Sequence, residues 1–166
     1  MTDYINIKGI TYELVTTYYD NGNIKSEECF FNGLKSGPSK YYYENGKLQT
    51  EANYLQDEKL HGFKRQYNIN GVLISEEYYS SGDKDGEQLY YYDNGKLRGR
   101  INFVLFAEYH TYYYENGNIR SKITYDRGVK DYFRSYYENG NEKSIISYTN
   151  GEISFRFDYD EQGNRI

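Results

Sequence analysis

Seven glycines, Gly22, Gly46, Gly71, Gly95, Gly117, Gly140 and Gly163, recur at spacings of 24, 25, 24, 22, 23 and 23 residues, and a tyrosine stands four positions before each. A period in this range marks stacked copies of one supersecondary unit. Six of the seven glycines follow asparagine, and Asn-Gly between alternating apolar residues is a strong hairpin signal. Two positions after the glycine stand Ile24, Leu48, Leu73, Leu97 and Ile119, replaced by Glu142 and Arg165 in the last two copies. Eight positions after stand Phe30, Tyr54, Tyr79, Phe103, Tyr125 and Tyr148. Looser turn signals such as "FFNGLKSG", "LQDEKLHG", "YSSGDKDG" and "YDRGVKD" separate one copy from the next.

The chain therefore reads as one domain, residues 1–166, with capping strands in 1–12 and seven β-hairpin repeats of about 23 residues in 13–166. The expected fold is all-β, an elongated antiparallel meander with no long helix. About fourteen strands at ~4.8 Å each would span roughly 65 Å if flat. Composition agrees. Two Ala and one Pro stand against 16 Gly and 24 Tyr, so helix formers are scarce while turn and strand formers are plentiful.

Register follows from which turn the glycine closes. A two-residue turn at Asn45-Gly46 would place the recurrent tyrosine among Glu44, Lys47 and Glu51. A three-residue loop, Glu44-Asn45-Gly46, with glycine in the left-handed region, pairs Tyr42 with Leu48 instead. Burial of one face is what fixes register, so the three-residue loop is expected. One face should then collect the tyrosine at −4, the aliphatic at +2 and the aromatic at +8. It should also take Leu14, Phe63, Tyr109, Tyr132 and Phe155 at −8, and Ala52, Ile101, Ile123 and Ile146 at +6. On this reading the −4 tyrosines carry stability. Tyr19, Tyr43, Tyr92, Tyr114 and Tyr137 at −3, with Tyr41, Tyr90 and Tyr112 beside them, occupy the other face. There they either stiffen a thin sheet or meet a partner.

The stretches "NGLKSGPSKYYYENGKLQTEANY" and "SGDKDGEQLYYYDNGKL" resemble the variant MORN repeat of bacterial proteins, and the likeness runs from about Glu13 to Arg165. The resemblance implies a β-hairpin array. By association with YwqK-type antitoxins, it also implies an antitoxin or immunity protein that neutralises a cognate toxin by direct binding. A structural or membrane-associated scaffold is the alternative. The motif's residues are structural, so no catalytic residue comes with it.

The chain carries little sign of other chemistry. His61 and His110 share no carboxylate cluster, and "DKDGE" is only a fragment of a calcium loop. Glu27-Glu28 and Glu76-Glu77 point to opposite sheet faces and cannot act on one atom. No enzyme activity, cofactor or metal is expected. Cys29 is the single cysteine, and the net charge is −5. That acidity disfavours nucleic acid and anionic lipid and suits a basic protein partner. No apolar stretch is long enough to span a membrane. The start lacks a leader pattern, which makes a cytoplasmic location the expectation.

The departures from the repeat concentrate in Arg98–His110, where the loose turn is lost and "INFVLFA" (Ile101–Ala107) appears. This run reads either as a buried kink or as an exposed anchor. Partner contact is expected in this middle third. Tyr90, Tyr92, Tyr112, Tyr114, Phe103 and Phe106 would serve as aromatic anchors, with Asp85, Glu87, Asp93 and Glu115 as steering charges. Self-association would run through Ile101–Ala107 or the edge strands.

Overall fold

A computed structural model describes residues 2–55 and 58–166. Fifteen β-strands and no helix occur among them. The chain divides into two compact halves, Met1–Lys84 and Asp85–Ile166. The N-terminal half holds β1 (Thr2–Ile7), β2 (Ile10–Tyr18), β3 (Ile24–Phe31), β4 (Leu34–Tyr42), β5 (Leu48–Tyr54), β6 (Gly62–Tyr67), β7 (Leu73–Ser80) and the short β8 (Asp83–Lys84). The C-terminal half holds β9 (Gly86–Tyr91), β10 (Leu97–Val104), β11 (Ala107–Tyr113), β12 (Ile119–Asp126), β13 (Val129–Tyr136), β14 (Glu142–Thr149) and β15 (Glu152–Asp158). Within each half every strand pairs antiparallel with its sequence neighbour. The loose turn "LQDEKLHG" includes Gln56 and Asp57, which lie outside the described residues.

The three-residue loop is present. Gly46 N donates to Tyr43 O at 2.9 Å, Tyr43 N donates to Lys47 O at 2.9 Å, and Tyr42 pairs with Leu48. Gly46 has φ +79°, where a side chain would be strained. The same glycine-to-carbonyl bond recurs in all seven repeats.

The expected faces need correction. After Tyr42↔Leu48 the register jumps to Tyr41↔Thr50, skipping Gln49, and the same bulge follows five other hairpin turns. One extra residue inverts the alternation of everything beyond it. The +6 and +8 side chains therefore share a face with −5 and −7, not with the −4 tyrosines. That face is the better packed one. It carries Ser26, Ser39, Ala52, Ser75, Glu77, Tyr79, Gln88, Ser121, Ser144 and Ile146, all buried. Position +4 holds Ser26, Thr50, Ser75, Gly99, Ser121 and Ser144, and Gly99 stands between the neighbouring −5 aromatic residues Tyr90 and Tyr112. A Cβ placed on Gly99 would lie 3.0 Å from the Tyr112 ring. Some of the small hydroxyls find partners: Thr17 and Ser26 lie 2.7 Å apart, and Ser144 donates to Asp158 at 2.6 Å, while the buried Ser39 hydroxyl has none among the described residues.

The −4 tyrosines sit on the more open face, and Tyr18 is 53% exposed. Tyr42 donates to Glu27 at 2.5 Å and Tyr67 to Glu51 at 3.0 Å. The −3 tyrosines have the structural role instead. Tyr19, Tyr43, Tyr92, Tyr114 and Tyr137 each donate their hydroxyl to the carbonyl of the following repeat's −4 tyrosine, at 2.6, 2.8, 2.7, 2.8 and 2.9 Å. Asparagine amides add to the staple: Asn116 and Asn118 both donate to Glu138 O, and Asn139 and Asn141 to Glu161 O. A tyrosine beside the tight turn is thus a rigid arm that reaches the next turn. The two repeats without it carry Asn68 and Asp160, whose side chains accept backbone N–H bonds within their own turns.

Candidate protein-interaction surface

Five of the loose turns are two-residue connections with glycine second, and the connection between β5 and β6 is longer. Lys8-Gly9, Asn32-Gly33, Ser81-Gly82, Arg127-Gly128 and Asn150-Gly151 all have positive φ at both residues, the twist a tight hairpin wants. The expectation that the fourth repeat loses this turn is not met. Val104 pairs with Ala107 across Leu105-Phe106, so β10 and β11 form an ordinary hairpin. Its tip chemistry is not ordinary. Leu105 takes φ +53° without a glycine after it. Leu105 is 96% exposed, Phe106 70% and Tyr109 50%. The buried-kink alternative is excluded: Ile101 and Phe103 are half-buried strand residues, and the run ends in solvent.

The tip is braced from the next hairpin. Arg127 N donates to Phe106 O at 2.6 Å, and the Arg127 guanidinium lies 5.7 Å from the Phe106 ring centroid. Isolated exposed apolar residues are common. Two adjacent large ones at a strained turn, where five other turns use glycine, are not explained by folding.

The remaining expected contact residues are dispersed. Tyr92 and Tyr114 are half-buried and used as staples. Tyr112 packs on Gly99 with its phenol pushed up by burial, and Tyr90 is half-buried opposite Gly99. Asp85, Glu87, Asp93 and Glu115 are exposed. Glu87 pairs with Arg100 at 3.0 Å, and Glu115 accepts from Asn94 at 3.2 Å. Tyr92, Asp93, Tyr114 and Glu115 lie at the tight turns, at the other strand ends from Phe106, whereas Glu87 stands opposite Asn102 near the loose-turn end.

Other side-chain clusters are internal to the sheet. Lys35 donates to Glu28 at 2.6 Å and meets Tyr41, and its ammonium lies 4.4 Å from the Tyr54 ring centroid. Burial would raise Glu28, but the hydrogen bonds from Lys35 and Tyr41 outweigh it and hold the carboxyl below its usual range. His110 Nε2 lies 2.9 Å from Glu108, its Nδ1 3.3 Å from Tyr112, and its ring stacks against Tyr125 at 5.0 Å. Among the described residues no group of three or more His, Cys, Asp or Glu is placed to hold a metal.

Fold and surface together define a β-hairpin repeat protein, with one two-residue loose turn carrying leucine and phenylalanine in place of glycine chemistry. The MORN repeat variant model matches residues 14–32, 35–56, 84–104, 109–127 and 132–153, and the chain belongs to that family. The repeat built around Asn68 lies outside the matched segments. No curated protein matches the chain.

Proposed function

We propose that this chain is a protein-binding repeat module, anchored on its partner by Leu105 and Phe106, and that it serves as an antitoxin or immunity protein that covers a cognate toxin. The observation that carries the reading is the tip itself. A positive φ at leucine costs of order 1 kcal/mol or more, and exposing two large apolar side chains forgoes roughly 1.5–3 kcal/mol each of burial. A partner with a pocket for both recovers that burial. The other loose turns carry no such pair, so the tip also supplies what identical repeats lack, a means of choosing one partner.

The test is affinity capture from native cells with the wild-type chain and with Leu105→Asn combined with Phe106→Gly. Any protein retained only by the wild type is then expressed alone and together with this chain. Growth arrest relieved by co-expression supports the antitoxin role. Equal retention by both forms removes the tip from the account, and a captured protein that is harmless when expressed alone removes the toxin.

A further inference from the structure

The two halves carry the same structural row with opposite charge logic. In the N-terminal half the residues at −6 and +5 pair across neighbouring strands as Glu27, Lys40, Glu51, Arg65 and Glu76. The signs alternate, and Arg65 bridges Glu51 at 3.4 Å and Glu76 at 2.5 Å. Cross-strand pairs of opposite sign stabilise a sheet. In the C-terminal half the same row reads Leu89, Arg100, Thr111, Lys122, Arg134, Ile145 and Phe157. It contains no carboxylate, and Lys122 stands directly opposite Arg134. Like charges directly opposite are destabilising. Arg100 and Arg134 reach carboxylates outside the row, Glu87 and Glu142, each at 3.0 Å. Lys122 is exposed, and no carboxylate pairs with it among the described residues.

The row is bordered by aromatic surface. Tyr109 and Tyr132 stand two residues before Thr111 and Arg134 on their strands, hence on the same face. Arg134 donates to the Tyr132 hydroxyl at 2.8 Å. Tyr109 continues toward the Leu105-Phe106 tip, which lies about 17 Å along β11 from Thr111 at the usual rise of a strand.

From this placement we infer that the open face of the C-terminal half binds an acidic, extended segment of a partner protein, its carboxylates on the Arg100–Lys122–Arg134 row and an apolar residue about five positions away at the tip. The inference rests on the tip being a protein contact and adds the partner's chemistry. It runs against the chain's net charge, which alone would select a basic partner. Apart from Glu87 and Glu142, which pair with Arg100 and Arg134, the acidity lies elsewhere: the carboxylates of Glu115, Glu138 and Glu161 rim the tight-turn edge, and Asp126 and Asp131 lie at or beside the Arg127-Gly128 loose turn. Residues 85–166 hold 11 Lys and Arg against 13 Asp and Glu. A nucleic acid strand or an anionic bilayer extends past the face and meets those rims, whereas a short acidic segment stays on the row. Charge complementarity therefore favours protein.

The probe is a short fluorescein-labelled peptide of alternating glutamate and leucine, read by anisotropy against its glutamine counterpart, single-stranded DNA and phosphatidylserine vesicles. The wild type should prefer the glutamate peptide by about tenfold or more, a preference that salt weakens. Lys122→Glu should lose about tenfold in affinity for it and yet melt at a higher temperature, because it restores an opposite-sign pair with Arg134. Lys40→Glu, at the equivalent row of the other half, should leave peptide affinity unchanged. Equal affinity for the glutamine peptide, no effect of Lys122→Glu, or tighter binding of DNA or vesicles overturns the inference. The tip variant separates the two claims. If it loses the cellular partner while Lys122→Glu retains that partner and the peptide, the acidic-segment inference falls and the tip contact stands. If the tip variant retains the partner and Lys122→Glu loses it, the tip contact falls and takes the apolar half of the inference with it, leaving only the acidic contact at the row.

Discussion

Replacing Tyr114 by phenylalanine removes one oxygen and one inter-repeat hydrogen bond. The hydroxyl donates to Tyr136 O at 2.8 Å from a half-buried ring, so the aromatic packing survives and only the staple is lost. A neutral hydrogen bond contributes about 0.5–1.5 kcal/mol net, with more lost where the orphaned acceptor is sealed from water. Tyr136 is itself half-buried, so water can reach its carbonyl, and a cost of about 1 kcal/mol is expected. Tyr114→Ala also forfeits the ring and should cost about 2–3 kcal/mol, below the range for a fully buried aromatic. Tyr113→Phe, on the more open face beside it, should be nearly neutral. Urea unfolding followed by circular dichroism, with shared m-values, measures all three. Equal losses for Tyr113→Phe and Tyr114→Phe would refute the staple, as would a neutral Tyr114→Phe beside a costly Tyr113→Phe.

Three further outcomes follow from single features. Gly46→Val should destabilise by roughly 1–3 kcal/mol in the same unfolding assay, because φ +79° resists a β-branched residue. Glu28 is held below its unfolded value, so its contribution is present above about pH 4.3 and lost as pH falls through the folded value; melting temperature between neutral and acidic pH should therefore drop more for the wild type than for Glu28→Gln. Leu105→Asn with Phe106→Gly recreates the chemistry of the Asn150-Gly151 turn and should raise stability by about 1 kcal/mol, visible as a higher melting temperature.

The period, the hairpins and the three-residue loop were legible because each depends on local chemistry that repeats: glycine at positive φ, asparagine before it, a tyrosine at fixed distance. The bulge was not. Lys25, Gln49, Ile74, Arg98, Arg120 and Lys143, the skipped residues, carry no turn signature, yet they decide which face the +6 and +8 side chains join. One signal would have exposed the error. Ser26, Ser75, Gly99, Ser121 and Ser144 recur at +4, and a column of small residues marks close packing. The −3 tyrosine was misread for a different reason. Its partner lies a full repeat away, so its role appears only once neighbouring hairpins are laid side by side. At the candidate site the apolar run was visible in Ile101–Ala107, but the Leu105-Phe106 turn was hidden because it lacks the glycine that marks the others. The charge row of Arg100, Lys122 and Arg134 needs the bulged register before its members line up.

Hydrogen–deuterium exchange of the chain with and without a captured partner tests the proposed contact most directly. The account predicts new protection centred on Val104–Tyr109 and extending along β10 to β13 through Arg100, Thr111, Lys122 and Arg134, with the tight-turn edge at Tyr92 and Tyr114 unchanged. Protection confined to that tight-turn edge, or to Met1–Lys84, would contradict it.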